Sequence, residues 1–409
     1  MSELAINGGS RAAEALSVPE WPRVTDECRE NVLEALESRN WCRGSWIDRL
    51  EDEFAAYHDA EHAIAVSNGT VAIELALRAV GVEPGDEVLV PSYSFIASAS
   101  AVPTVGAVPR FVDTDPETFN IDPESVRERA TDDTVGIVGV HFAGYPMDLD
   151  ELLPICAEHD LFLIEDAAHA QGSEWRDEKV GTFGEFGTFS FQESKSLPAG
   201  EGGIVVTDDD VLAERARTMQ NIGRAHGETG YRHYTLSSNS RLSDLQAALA
   251  VSQLEKLPAE NEVRERNEAR LIEELGTIDG IRTKPRDDRI TARGYCLENV
   301  RYDPAAFDGL GRDRFIEAMR AEGVPVYDGY EVPIYKQPAF FRDQVRRLVP
   351  PGTDVPDYRN LHLSGAERLC RENVAYSHPV LLADEAGIAT IPEAIRKIKT
   401  HADELRDLR

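Results

Sequence analysis

The chain of 409 residues carries 74 acidic and 43 basic side chains, a formal charge of −31, with 42% hydrophobic and 29% charged residues. That composition excludes a disordered chain and is long enough for a large core plus a smaller second domain. The acids are spread along the whole length, so their field repels phosphate backbones and argues against sequence-independent nucleic-acid binding.

Even dispersion of the acids favours adaptation to high salt, where screening shortens self-repulsion, over a docking face for a cationic partner. Cys28, Cys42, Cys156, Cys296 and Cys370 lie far apart, with no pair at metal-ligand spacing, so they read as reduced thiols and no metal site is expected. The segment MSELAINGGSRAAEAL lacks the basic start and apolar core of a signal peptide. The one long uncharged stretch, 88–109, is interrupted by Pro91, Pro103 and Pro109 and cannot serve as a membrane helix. The expectation is a cytoplasmic protein with no membrane partner.

Short apolar runs alternate with segments of helical period from residue 63 to about 206. The runs are AIAV at 63–66, EVLVP at 87–91, PRFVD at 109–113, VGIVGVH at 135–141, LFLIED at 161–166, GTFSF at 187–191 and GGIVVT at 202–207. Apolar runs without polar alternation suit strands buried on both faces. The pattern therefore predicts an α/β fold, a mostly parallel sheet sandwiched by helices, with ligands beyond the carboxyl ends of the strands. Asp148 is a candidate N-cap for the helix feeding LFLIED. Past Ser243 a long charged amphipathic region opens the second part, which holds a β-like YCLENVRY at 295–302, a helix near 313–322, the HPVLL segment and a last helix, PEAIRKIKTHADEL. Domains are placed at 1–254, including an N-terminal arm, and at 255–409, a smaller α+β unit.

Four segments place lone polar or small residues where a strand hands over to a loop or helix. Ser67-Asn68-Gly69-Thr70 lies between AIAV and a helical run, where free N–H groups and a positive dipole end can cradle an anion; a plain helix cap by Ser67 or Thr70 is the alternative. Asp166 ends an apolar run, where an acid is costly without a partner. A protonated ring nitrogen is one such partner. At ~4 Å and an effective dielectric of ~20 the attraction is about 4 kcal/mol, enough to hold a heterocycle protonated. Capping of the next turn explains the acid equally well, and His169 three positions later reads alone as a loop histidine.

Lys195, one of only seven lysines in a chain that otherwise uses Arg, sits in a neutral stretch followed by Gly200, Gly202 and Gly203. Only a primary amine can lose its proton and condense with an aldehyde, although a lone loop lysine is usually just solvated. In the fourth segment, SSNSRLSDLQAA, Ser243 is a candidate helix cap and nothing internal to it favours function.

In this order, SNGT, DEVLVPSYSFIA, IEDAAHAQGS, FSFQESK with AGEGG, and NSRLSDLQAA resemble the DegT/DnrJ/EryC1/StrS family, aminotransferases of fold type I that use pyridoxal 5′-phosphate (PLP) on keto sugars and cyclitols. The resemblance runs from WPRVTDECRENVLEAL to HPVLL, and 29 residues separate Asp166 from Lys195. It implies that Lys195 is the Schiff-base lysine and that Asp166 pairs with the pyridine nitrogen. Phe95 would stack on the ring and His169 would lie near the phenolic oxygen. Gly69, Thr70 and Ser190 would hold the 5′-phosphate, with Asn239 reaching it from a second subunit of a homodimer with shared sites. Arg241 and Tyr335, the latter at a position where relatives often carry His, are the substrate-side candidates.

The implied reaction takes an amino group from L-glutamate or L-glutamine and gives it to a keto sugar, a nucleotide-linked keto sugar or a cyclitol ketone. Related sugar dehydratases replace the lysine by His, so Lys195 points to transamination. A non-catalytic PLP-binding regulator is the remaining alternative, opposed by the acidic surface and the lack of a DNA-binding module.

Overall fold

The computed structural model describes residues 3–228 and 230–406. Its centre is a seven-stranded sheet of β1 (His62–Val66), β2 (Glu87–Pro91), β3 (Val108–Val112), β4 (Thr134–Val140), β5 (Phe162–Asp166), β6 (Phe186–Ser190) and β7 (Gly203–Thr207). The spatial order is β1-β7-β6-β5-β4-β2-β3. The pairs from β3 to β6 are parallel, and β7 alone runs against both its neighbours, so six strands point the same way.

Alternate residues of each strand enter opposite cores, as the pleat dictates. Ala63, Ala65, Leu89, Ile137 and Leu163 pack with Leu50 and Phe54 of the helix Ser45–Tyr57, Leu152 and Ile155 of Leu149–His159, and Val251 of Asp244–Leu254. Ile64, Val66, Val88, Val90, Val138 and Ile164 pack on the other face with Ile73 and Leu77 of Gly69–Val80, Val102 of Ala97–Thr104 and Ala216 of Asp210–Gln220. The mostly parallel, helix-covered sheet expected from the apolar runs is the architecture found. Asp148 and Ser243 cap their helices, accepting from the N–H groups of Glu151 and Gln246.

The charged region after Ser243 is two helices, Asp244–Leu254 and Leu257–Leu275, because Pro258 suits a helix start and not an interior. Beyond it, Ile281–Arg282, Leu297–Tyr302, Asn373–Ser377 and Val326–Tyr327 form a four-stranded antiparallel sheet in that spatial order. Glu385–Thr400 supplies Ile391 and Ile395 to its core.

The division at residue 254 is not followed by the packing. Leu4 and Ala13 of the N-terminal arm lie in the C-terminal core, and Glu322 accepts the N–H groups of Ala5 and Ala12. In the reverse direction, Ile334, Tyr335, Phe340, Val345 and Tyr358 pack under the large sheet. Each segment goes where its apolar side chains find a face left uncovered.

Candidate active site

The carboxyl ends of β1, β2, β4, β5 and β6 converge on a cavity of about 850 Å³ whose far wall is the C-terminal antiparallel sheet. Gly69, Thr70, Phe95, Asp166, His169, Ser190 and Lys195, singled out from sequence on four separate segments, all line it. Asn239, Arg241 and Tyr335 do not.

Asp166 is the last residue of β5 and is buried. Its Oδ2 accepts from the Ser98 hydroxyl at 2.6 Å and its Oδ1 from the Ala168 N–H at 3.2 Å. No Lys, Arg or His among the described residues lies within ion-pair distance of it. Burial raises its pKa, opposed by the Ser98 and Ala168 hydrogen bonds and by the positive field of Lys195. It is a carboxylate at a cavity wall lacking a cationic partner, a costly arrangement unless a ligand supplies one.

Lys195 follows β6 in a turn closed by its N–H on the Gln192 carbonyl, and the Trp21 indole donates to the Lys195 carbonyl at 3.1 Å. Of the seven lysines, Lys179, Lys284, Lys336, Lys397 and Lys399 pair with acids and Lys256 donates to the Arg23 carbonyl. Lys195 Nζ has no hydrogen-bond or ion-pair partner among the described residues, and it lies on the cavity wall.

His169 is buried, and its Nδ1 accepts from the N–H of Ala143 at 3.2 Å. Burial and the nearby Lys195 charge push its pKa well below the usual value, so the ring is neutral. With Nδ1 accepting, the proton sits on Nε2 and the ring offers the cavity a donor. Ala143 holds this contact from a left-handed backbone, φ +58°.

At the start of the helix Gly69–Val80 the cap is Asn68, whose side chain accepts from the Val71 N–H at 2.9 Å. That corrects the expectation of Ser67 or Thr70. The cap leaves the N–H groups of Gly69 and Thr70 without an intrahelical acceptor. A Cβ on Gly69 would stand 2.8 Å from the Ser190 Cβ, so only glycine lets the helix start come this close to the end of β6. Phe95 is 53% exposed, an aromatic face open on the wall.

Tyr335 is corrected from a substrate-side candidate to a core residue. It is fully buried against Phe111, donates to Glu367 Oε1 at 2.9 Å and accepts from the Leu363 N–H at 3.1 Å. Asn239 is exposed and accepts from the Arg241 N–H, while the Arg241 guanidinium donates to Asn221 Oδ1 at 3.0 Å. The Ser240 carbonyl receives the Ser67 N–H, which ties this segment beside the cradle of its own chain.

Several residues of the site escaped the sequence reading. Ser98 holds Asp166 from 68 positions away. Gln171 donates to the Ser190 carbonyl and accepts from Ser196, bracing the strand end before Lys195. Behind Asp166, His141 Nε2 lies 2.8 Å from Glu165, whose oxygens also take the N–H groups of Gly181, Phe183 and Gly184. Asn299, Asn373, Tyr327 and Tyr330 form the C-terminal wall. The serine-rich run SYSFIASAS was the only local signal, and it points to Ser98 no more than to its neighbours.

PLP is a flat aromatic ring with an aldehyde, a basic ring nitrogen, a phenolic oxygen and a phosphate. The cavity offers an unpaired amine, a buried acid lacking a cation, a neutral imidazole donor, an open aromatic face and a helix start that a Cβ would close. The residues present fit the group.

Known proteins agree in sequence and shape. The profile of the DegT/DnrJ/EryC1/StrS aminotransferase family matches residues 22–377. The L-glutamine:2-deoxy-scyllo-inosose aminotransferase of Micromonospora echinospora is 36% identical, aligned over 99% of this chain and 100% of its own length. The 3-amino-5-hydroxybenzoate synthase of Amycolatopsis mediterranei is 36% identical over 94% of this chain and 98% of its own. A crystal structure of 3-amino-5-hydroxybenzoic acid synthase superposes with a TM-score of 0.84 at 34% identity, covering 95% of this chain and all of that one. The aminotransferase from Psychrobacter cryohalolentis gives 0.83 at 30% identity, covering 95% of this chain and all of its own. A match of this extent, on a cavity that presents the lysine and the acid together, makes the chain a member of the DegT/DnrJ/EryC1/StrS family of PLP-dependent aminotransferases.

Proposed function

We propose that the protein binds PLP in this cavity and moves an amino group from L-glutamine or L-glutamate to a ketone on a cyclitol or keto-sugar ring. The observation that carries the reading is Lys195, without a side-chain partner among the described residues, sharing one cavity with the buried Asp166, which has no cation beside it among those residues. L-glutamine is the donor that the inosose relatives' names carry. Among the described residues no arginine lines the cavity, and its ionisable groups other than tyrosine and cysteine are Asp166, His169, Lys195 and Glu201. That wall suits an uncharged polyol ketone better than a nucleotide-linked sugar.

When bound, PLP supplies an electron sink that stabilises the carbanion formed at the amino acid's α-carbon. Lys195 would hold the aldehyde carbon through Nζ and would carry the proton between the amino acid's α-carbon and C4′. Asp166 would accept the ring N–H and favour protonation of that nitrogen, with the Ser98 hydrogen bond orienting the carboxylate and favouring its charged form. His169 donates from Nε2 toward the phenolic oxygen, and Phe95 covers one face of the ring. The N–H groups of Gly69 and Thr70 and the Ser190 hydroxyl take the phosphate.

The same proposal makes the active unit a homodimer in the cytoplasm, with Asn239 reaching the phosphate in the partner's cavity. In keeping with this, Tyr231, Tyr234 and Leu236 just before Asn239 are exposed.

The test is spectroscopic. PLP-loaded protein should absorb in the near-ultraviolet or visible, and the band should shift on adding L-glutamine or L-glutamate. Borohydride should fix the cofactor on the wild type and not on Lys195→Ala, as read by intact mass. Protein that stays colourless after incubation with PLP and gains no mass ends the reading.

A further inference from the structure

We propose that Asn299 is the residue that reads the ketone substrate, its side-chain carbonyl accepting a hydrogen bond from a ring hydroxyl. This rests on the polyol-ketone reading above and names the group within that cavity that enforces it. Asn299 lies on Leu297–Tyr302, the strand facing the cradle, and lines the cavity together with Leu297 two positions before it. It is fully buried and its Oδ1 has no hydrogen-bond partner among the described residues.

The orphan is the end of a chain of amides. Asn299 Nδ2 donates to Asn373 Oδ1 at 2.9 Å, and Asn373 Nδ2 donates to the Tyr93 hydroxyl at 3.0 Å. All three residues are buried, and Asn373 also lines the cavity. Burial holds the Tyr93 phenol protonated, so its hydroxyl accepts from Asn373 and keeps a proton of its own to donate. In this sense Asn299 ends in a carbonyl acceptor. That carbonyl is unsatisfied until a ligand meets it, and a buried polar group left unmade costs free energy that a bound hydroxyl recovers.

The chemistry of the two reactants selects the ketone. A polyhydroxylated ring carries an O–H on most of its carbons, so a donor reaches Asn299 in several ring orientations. An amino-acid donor brings a carboxylate that only accepts, which an acceptor repels. The wall around Asn299 is otherwise neutral, built from Cys296, Tyr327 and Tyr330, with burial raising the pKa of each. No charge there competes with a hydroxyl.

The experiment separates the two half-reactions in PLP-loaded enzyme, following the absorbance change with L-glutamine and then the reverse change with 2-deoxy-scyllo-inosose or scyllo-inosose. In Asn299→Leu, kcat/KM for the ketone half should fall about 10- to 100-fold, and the glutamine half by less than about threefold. Asn299→Asp keeps an acceptor, with Asn373 turned to donate to it and Tyr93 donating to Asn373, and should return the ketone half to within about fivefold of wild type. Equal losses in both halves, or an Asp variant as poor as Leu, overturn the proposal. Wild type that shows no spectral change with either L-glutamine or L-glutamate sinks the aminotransferase reading instead, so the two failures are distinct.

Discussion

Ser98 is where the residue scale tests the site most sharply. Its hydroxyl hydrogen-bonds the ionised form of Asp166 and so lowers a pKa that burial raises. Removing it in Ser98→Ala takes away a hydrogen bond to the charged form and shifts that pKa further up. Asp166 then protonates at higher pH, the ring nitrogen loses its anionic partner there, and the acid limb of kcat/KM against pH should move up. Activity well above the limb should change little, and an unmoved limb removes Ser98 from the site. Asp166→Asn lacks the charge at every pH. With an attraction of about 4 kcal/mol at stake, its activity should fall by up to about a thousandfold, measured as kcat with PLP saturating. Asp166 and Lys195 were legible because each breaks a local pattern: an acid ending an apolar strand, a lysine among arginines. Ser98 and the Asn299–Asn373 pair break none, and their partners lie 68 and 74 positions away.

At the scale of elements, the handover from β1 to the helix Gly69–Val80 combines a cap, a glycine and a neighbouring strand end. Gly69→Ala puts a methyl 2.8 Å from the Ser190 Cβ, between two backbone segments with little freedom to part. Overpacking of that kind costs about 1–3 kcal/mol and pushes the helix start away from the position where its N–H groups meet a phosphate. The variant should melt earlier and bind PLP about 10- to 100-fold more weakly in a fluorescence titration, with the Lys195 chemistry unchanged at saturating cofactor. Wild-type PLP affinity in this variant removes the cradle.

The strand and helix boundaries near this cradle were readable from apolar runs, yet the cap was not, since Ser67, Asn68 and Thr70 are all capable of it. Register decides: Asn68 stands just before the first helical residue with an extended backbone, from which its side chain reaches the third N–H. The start of Ser45–Tyr57 shows the limit more plainly. Gly44 offers no capping side chain, and Asp244, 200 positions on, accepts the Gly44 N–H and, at 197, that of Ile47. A cap delivered by tertiary contact leaves no local trace.

Across the whole molecule the charge of −31 is the feature that neither the fold nor the site explains. The cations are heavily engaged: Arg289 alone binds Asp148, Asp150 and Asp287, and Arg293 joins Glu268 and Glu298. The excess acids are therefore left facing solvent and one another. At 0.1 M salt the screening length is about 10 Å, comparable to the spacing of surface carboxylates, whereas at 1 M it is about 3 Å and neighbours scarcely interact. Self-repulsion is relieved on unfolding, so a folded state carrying this charge should gain stability as salt rises. The melting temperature of the PLP-loaded protein should climb by several degrees between 0.1 and 2 M KCl. Chloride is chosen because sulfate strengthens apolar burial whatever the charge. The buried pairs, such as Lys284 with Glu298, are scarcely screened and should not weaken enough to reverse the trend. A flat or falling melting temperature over that range refutes adaptation to high salt, and the dispersed acids then require a cause outside folding stability.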